Sequence, residues 1–296
     1  MLFHKKKLII THSGQFHADD VFAVAALQIL FGEKNIKITR TRDEKVIVRG
    51  DIVIDVGGIY DESKARFDHH QTEGAGKREN GIPYSSLGLI WKRYGKDICG
   101  SEKVANHLDA SLVQPIDAGD NGMEIYKPIN DVMPYTVSGI VHAFNPAWDE
   151  KWDVNEGFFE VLEFTKKILK REIKRAQSKF KGEEIATQIY KNTEDKRIII
   201  LDKDYPVAGL MVQFPEPLFV VYPKSGTWHT VAVRQNLFDF KIRKPFPASW
   251  AGKRDGELVK LTGVSDAIFC HRNLFLSVAK SKNGAVELAR KALSNN

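Results

Sequence analysis

Cysteine is nearly missing from this chain: Cys99 and Cys270 stand alone and far apart in 296 residues. So few thiols exclude a disulfide-built fold and any zinc site made of cysteine. They read as two buried, reduced side chains rather than one bridge. Long hydrophobic runs are also missing. No apolar stretch approaches the roughly 18–20 residues of a membrane span, so no membrane partner is expected. The opening M-L-F-H-K-K-K-L-I-I is basic, but its apolar run breaks at Thr11 and His12 with no small-residue cleavage site after it. That reads as a strand start rather than a secretory leader, and points to a cytoplasmic protein. There is no G-x-S-x-G elbow for a serine nucleophile and no G-x-x-x-x-G-K-S/T phosphate loop. Internal repeats, low-complexity tracts and extended disordered linkers are absent too.

What remains is the composition of a globular protein, 43% apolar and 28% charged, long enough for two domains. The charge is unevenly placed. Residues 1–194 hold 28 Lys+Arg against 29 Asp+Glu, whereas residues 195–296 hold 16 against 9, a net of +7. This suits a catalytic domain over 1–194 followed by a polyanion-gripping domain over 195–296.

The pattern of the first domain is strand, helix, strand, strand. Lys7 to Thr11 is a β-rich run, Ala18 to Phe31 repeats apolar residues at helical intervals, Ile36 to Arg42 alternates, and Asp51 to Val56 is a β-branched run ended by Gly57-Gly58. Such spacing implies an α/β fold, a parallel sheet with helices on both faces. Helices are also predicted over Ser85 to Tyr94, Glu102 to Val113 and Glu156 to Tyr190. The last carries eight basic residues and one acid, Glu172, between Lys166 and Lys181, a pattern that fits a solvated face or a basic ridge. From Arg197 onward strands dominate, at Ile198 to Leu201, Leu218 to Tyr222, Thr227 to Val233 and Ala267 to Cys270. A closing helix over Gly284 to Leu293 completes a smaller α+β domain.

Histidines and aspartates gather at the ends of these elements. His12, His17, Asp19 and Asp20 lie in T-H-S-G-Q-F-H-A-D-D, Asp55 ends an apolar strand, and Asp68-His69-His70 follow another short run. Asp117 and Asp120 lie in P-I-D-A-G-D-N-G. In parallel sheets ligands bind beyond the carboxyl ends of strands, where His12 and Asp55 fall. Adjacent histidines on a strand diverge, so His69 and His70 reach one site only from a bend. Of Asp19 and Asp20, one can cap the helix while the other ligates. His4, His107, His142 and His229 lack polar neighbours in sequence and read as ordinary residues. His271, next to Arg272, is positioned to touch a substrate phosphate. Cys270 beside His271 is a poor nucleophile–base pair, because consecutive strand side chains point apart.

Imidazole and carboxylate donors without thiolate suit two divalent ions, manganese first, with magnesium or zinc as substitutes. Such a metal pair is the usual apparatus for hydrolysing a phosphate ester.

Asp68-His69-His70, preceded by Asp55, resembles the DHH phosphoesterase superfamily, which includes RecJ-type exonucleases and manganese pyrophosphatases. More closely, T-H-S-G-Q-F-H-A-D-D, D-V-G-G-I-Y-D, F-D-H-H-Q, D-A-G-D-N-G and S-W-A-G…V-S-D-A-I-F-C-H-R resemble the melanocyte-proliferating-gene (Myg) family across nearly the whole chain. The resemblance implies a DHH catalytic domain, a C-terminal substrate domain and 3′→5′ exonuclease activity on RNA. It makes His12 and His17 ligands of one metal, Asp19 a ligand of the other, Asp55 a bridge and His69 a further ligand. Either Asp117 or Asp120 completes the set. His70 then contacts the phosphate or leaving group, and Asp68 orients the histidine pair.

Two departures stand out. The superfamily run H-x-x-x-D-x-D is here H-x-x-x-x-H-x-D, with His17 where an aspartate is usual, which favours metals that accept imidazole. The Gly-Gly-His segment that holds substrate in many DHH proteins is replaced by Leu276-Ser277-Val278-Ala279-Lys280, leaving Lys280, His271 and Arg272 as candidate substrate contacts. The expectation is a two-metal hydrolase of single-stranded RNA or short oligonucleotides. Alternatives are a small-molecule phosphatase or pyrophosphatase and a non-catalytic metal- or nucleotide-binding regulator.

Overall fold

In the computed structural model, which describes residues 5–295, the chain divides into two compact units, one ending at Gln177 and the other starting at Ser178. His4 lies outside the described residues. The first unit opens with β1 (Lys7–Thr11), α1 (Ala18–Phe31), β2 (Ile36–Arg40), α2 (Glu44–Ile47) and β3 (Ile52–Ile54). Two very short strands follow, β4 (Tyr60–Asp61) and β5 (Arg66–Phe67). The sheet order is β2-β1-β3-β5-β4, with every pair parallel except β4 on β5. It is therefore a mixed sheet, because the β4–β5 connection is too short for a crossover.

Helices cover both faces. On one, α2 packs Ile47 against Ile10, Val53 and Val56. On the other lie α1 and α3 (Ser86–Cys99), followed by α4 (Glu102–Leu108), a π-helical stretch over Asp109–Val113, and α5 (Gln114–Asp120). Residues Ala18 to Gln28 of α1 are all buried, so this helix is enclosed on every side, and its run of alanines lets neighbours approach closely. The short α6 (Val137–His142) and the long α7 (Val154–Asn192) come next, and the division between the units falls within α7.

The second unit contains β6 (Ile198–Ile200), α8 (Ala208–Met211), β7 (Phe219–Lys224), β8 (Thr227–Ala232), α9 (Asp255–Thr262), β9 (Ala267–Cys270), β10 (Leu276–Ala279) and α10 (Lys282–Ser294). Its sheet runs β6-β7-β8-β10-β9, parallel only between β6 and β7. On one face Phe219, Val221 and Ala232 pack against Leu258 of α9 and Ala285, Leu288 and Ala289 of α10. On the other, Ile199, Val220 and Val233 pack against α8 and Ala186. Among the described residues no helix is long and apolar enough to cross a membrane.

The limits of β1, α1 and β9 coincide with the sequence reading. Elsewhere ends move for local reasons: β3 stops before Asp55, whose φ of 56° turns the chain out of the sheet. Asp117 and Asp120 lie within α5, which carries Pro115 in its first turn. Lys166 is no part of a solvated ridge, since it is buried against Glu33 at 2.9 Å and Glu163 at 2.5 Å.

Candidate metal centre

β1, β3 and β5 are adjacent and parallel, so their carboxyl ends lie side by side, and each is followed at once by a polar residue: His12, Asp55 and Asp68. The sheet thereby brings together three segments distant in sequence. Asp19 and Asp20 enter from the first turn of α1, and Asp120 from the last residue of α5. His12, Asp19, Asp20, Asp55 and Asp68 are all buried.

Asp55 is the hub. Its Oδ2 lies 3.3 Å from His12 Nε2, while its Oδ1 lies 3.3 Å from His69 Nε2 and 3.5 Å from His70 Nδ1. His69 Nε2 is also 3.1 Å from Asp120 Oδ2 and 3.9 Å from Asp19 Oδ2. Among the described residues three overlapping donor sets result, each with ligand atoms within 4.8 Å of one another: His12, His17 and Asp55; Asp55, His69 and His70; His17, Asp19 and Asp120. The two histidines of the D-H-H tripeptide do approach from a bend, their rings 4.3 Å apart.

The two acids at the start of α1 divide their tasks. Asp20 Oδ1 accepts the His17 backbone N–H at 2.9 Å and caps the helix, although its Oδ2 still lies 3.5 Å from His12 Nε2. Asp19 turns into the cluster. Asp68 takes a different position: it accepts the Gly58 N–H at 2.6 Å through Oδ2 and His70 Nδ1 at 2.8 Å through Oδ1. The imidazole of His70 is thus held by one nitrogen while its ring is 61% exposed.

Electrostatics show what the cluster can hold. Burial, and then the carboxylates of Asp55, Asp120 and Asp20, push the Asp19 carboxyl well above its usual range. Burial raises Asp20 to about 7 against the pull of His12. Burial acts to raise Asp55 as well, but the imidazoles of His12 and His69, each 3.3 Å away, hold it far below the carboxylate range. For His69, burial opposes the charge, yet Asp120 and Asp55 outweigh it and take the imidazole up to about 10. His12 Nε2, His69 Nε2, Asp19 Oδ1 and Asp20 Oδ2 are buried without a hydrogen-bond partner. Carboxylates crowded at this depth call for positive charge, and these orphaned donor atoms fit divalent cations.

Sequence reasoning missed several supporting groups. Ser86 donates its hydroxyl to Asp55 Oδ1 at 3.0 Å and its backbone N–H to Asp19 Oδ2 at 3.3 Å. The positive end of α3 therefore faces the carboxylates. At the end of β2, Arg42 donates to the Ser13 carbonyl at 3.2 Å, and its Nη2 lies 3.3 Å from His12 Nδ1. His142, read as ordinary, lines a cavity of about 410 Å³ with His17 and Asp120. No sequence signal pointed to Ser86 beyond its place at a helix start.

Asp117 lies apart from the cluster. Ser85 Oγ donates to it at 2.6 Å, Gly88 N–H at 3.0 Å, and Arg78 Nη1 lies 2.8 Å from its other oxygen. Arg78 also pairs with Asp109, so Asp117 belongs to a buried ion network that braces α3 against α5. In the second unit, His271 and Arg272 follow β9, and the His271 ring packs 4.4 Å from Phe275. Lys280 follows the far end of β10, about 13 Å along the strand from Leu276, so these candidates do not form one small grip. Cys99 and Cys270 are both buried and unbridged, and burial pushes each thiol up to about 12.

Comparison with known proteins covers the whole arrangement. The MYG1 exonuclease profile, described as "Uncharacterised protein family (UPF0160)", matches residues 8–293. A MYG1 protein of Dictyostelium discoideum is 34% identical over 319 residues, covering 97% of this chain and 96% of its own. The MYG1 protein C694.04c of Schizosaccharomyces pombe is 30% identical, covering 96% of this chain and 97% of its own. A Mus musculus protein named MYG1 exonuclease is 28% identical, covering 96% of this chain and 84% of its own.

Proposed function

This chain belongs to the MYG1 family, and from that premise we propose that it is a metal-dependent phosphodiester hydrolase, a 3′→5′ exonuclease acting on RNA or short oligonucleotides. The reading is supported above all by the convergence of His12, Asp19, Asp55, His69 and Asp120 on one point, with buried nitrogen and oxygen atoms left unpaired. His12 and His17 would hold one ion, Asp19, Asp120 and His69 the other, with Asp55 shared because its two oxygens face different histidines. The mixed imidazole and carboxylate set favours manganese. Two divalent cations supply charge neutralisation at the phosphoryl oxygens and a more acidic water.

The protein's own residues carry the remaining steps. Asp68 fixes the His70 ring through Nδ1, which leaves Nε2 to give a proton to the departing oxygen. Arg42, exposed at the rim beside His12, offers its guanidinium to the substrate phosphate. Ser86 keeps Asp55 and Asp19 from turning away when substrate approaches. The basic excess of residues 195–296 favours a polymer over a small phosphate ester.

The decisive measurement incubates the manganese-loaded protein with 5′- and 3′-labelled RNA, DNA and a dinucleotide. Immediate release of the 3′ label as a mononucleotide, with stepwise shortening of the 5′-labelled RNA, is the expected result. Failure to shorten any of these substrates, with manganese demonstrably bound, would reject the nuclease reading.

A further inference from the structure

The second sheet has a half-covered face. Val220 and Tyr222 of β7 lie opposite Val231 and His229 of β8, and these four share one side because strand residues alternate. α8 covers only part of that side. Over the rest opens a cavity of about 780 Å³, bounded by residues 204–208, the 233–242 loop and the turn between β9 and β10. This volume lies within the range of small-molecule sites, and the hydrolytic chemistry above makes no use of it.

Its walls are of two kinds. Tyr222, Phe240 and Phe275 are aromatic, and the floor of valines is apolar. Phe240 is 84% exposed and Phe275 36% exposed, an unusual outlay of apolar ring surface in water. The rim is cationic, with Arg234 stacked 4.4 Å over Phe240 and Lys241 beside it. The nearby acids are already engaged: Asp204 pairs with Lys224 at 3.2 Å, and Asp239 accepts the backbone N–H of Lys241 at 2.9 Å. Among the described residues neither Arg234 nor Lys241 forms an ion pair within 4 Å, although both lie near enough to Asp239 for their charges to act on its carboxylate. Asn273 adds one amide able to donate and accept. The ligand that matches is planar and aromatic, has a hydrogen-bonding edge, and carries negative charge at one end.

We propose that this cavity binds a nucleotide residue of single-stranded nucleic acid. The base lies among Tyr222, Phe240 and Phe275 with its edge toward Asn273, and its phosphate meets Arg234 and Lys241. The site rests on the nuclease reading for its biological sense, but its occupancy does not require metal and is measured without it. His271, whose ring backs Phe275, then supports the wall of the site from behind.

The test uses the full chain in EDTA. Calorimetry with 5′-AMP and anisotropy with a labelled single-stranded rA heptamer report binding. A heptamer carrying 4-thiouridine is photocrosslinked and mapped by mass spectrometry. Phe240 is exposed and Arg234 half-buried, and thermal melts check that Phe240→Ala and Arg234→Gln both fold. Each is expected to weaken heptamer binding about tenfold or more, with crosslinks in peptides from 202–242 or 269–279. Crosslinks confined to residues 12–120, or unchanged affinity in both variants, overturn the proposal. Binding of a hydrophobic dye but not of 5′-AMP overturns it equally. Shortening of end-labelled RNA by the wild-type protein with manganese is scored separately. Nucleotide binding in a protein without that activity supports the cavity and removes the nuclease reading, whereas activity without nucleotide binding removes the cavity alone.

Discussion

Asp55 unites the reasons for the whole centre in one side chain: it ends a strand, adopts a positive φ that costs a non-glycine residue energy, and faces a histidine with each oxygen. Asp55→Asn should therefore abolish the thermal shift produced by manganese, and calorimetry should find at most one weak ion. His69 and His70 differ despite being neighbours. His69→Ala should weaken manganese binding and regain part of its activity in excess metal. His70→Ala should keep the manganese-induced shift and lose turnover about 100-fold, because its nitrogen is held by Asp68 for proton transfer; equal rescue of both variants would contradict this division. The pH response has a definite sign. Asp20 is raised to about 7 and His69 to about 10. In the metal-free protein the folded state therefore holds protons more tightly than the unfolded chain. His69 contributes stability fully below its ordinary 6.5, and that contribution is lost as pH rises toward 10. Asp20 acts in the same direction between 3.8 and 7. The Tm measured in EDTA should fall from pH 6 to pH 8.5 while the gain from manganese grows, since the ligands lose competing protons. A manganese gain largest at pH 6 would show that His69 does not bind the metal.

At the scale of elements, the sequence was legible where one physical signal dominated. β1 and α1 were readable because a β-branched run and a 3.6-residue repeat each ended at a polar loop, and His12 and Asp55 because strand ends in parallel sheets are where ligands gather. β4 and β5 were not readable: strands of two residues exist through their sheet partners, not through local propensity. The choice between Asp117 and Asp120 was equally hidden. Three residues of helix rotate the chain by most of a turn, yet which acid faces the cluster depends on α3 and the segment before it, where Gly88, Ser85 and Arg78 engage Asp117. A matched pair of glycine substitutions measures this bracing. A Cβ on Gly88 would run into the Asp117 carboxylate, whereas one on Gly119 meets nothing within 4 Å. Gly88→Ala should destabilise the protein by about 1–3 kcal/mol, and Gly119→Ala should be neutral or stabilise it by up to about 1 kcal/mol. Denaturant titration compares them, and similar effects at both positions would mean that the Asp117 network is not rigid.

For the whole molecule the uneven charge was plain from composition, while the location of its basic residues was not. Arg272 and Lys280 are candidate substrate contacts because the Gly-Gly-His segment is replaced, and the turn between β9 and β10 places them toward opposite ends of β10. Charges so far apart, with no shared partner, should act independently on a polyanion. If the net +7 of residues 195–296 binds the phosphate backbone, the affinity for a 20-residue single-stranded RNA in EDTA must fall steeply with salt, as released counterions dilute the gain. Arg272→Gln and Lys280→Gln should each reduce the slope of log K against log salt by about 0.7 for a single strand, and the double variant by the sum. For 5′-AMP the salt dependence should be shallow and unaffected by either change, because one phosphate meets few cations. An RNA affinity indifferent to ionic strength would leave the basic second unit without a role in binding the polymer. A double variant no weaker than either single one would instead place Arg272 and Lys280 on the same phosphate, against the geometry of β10.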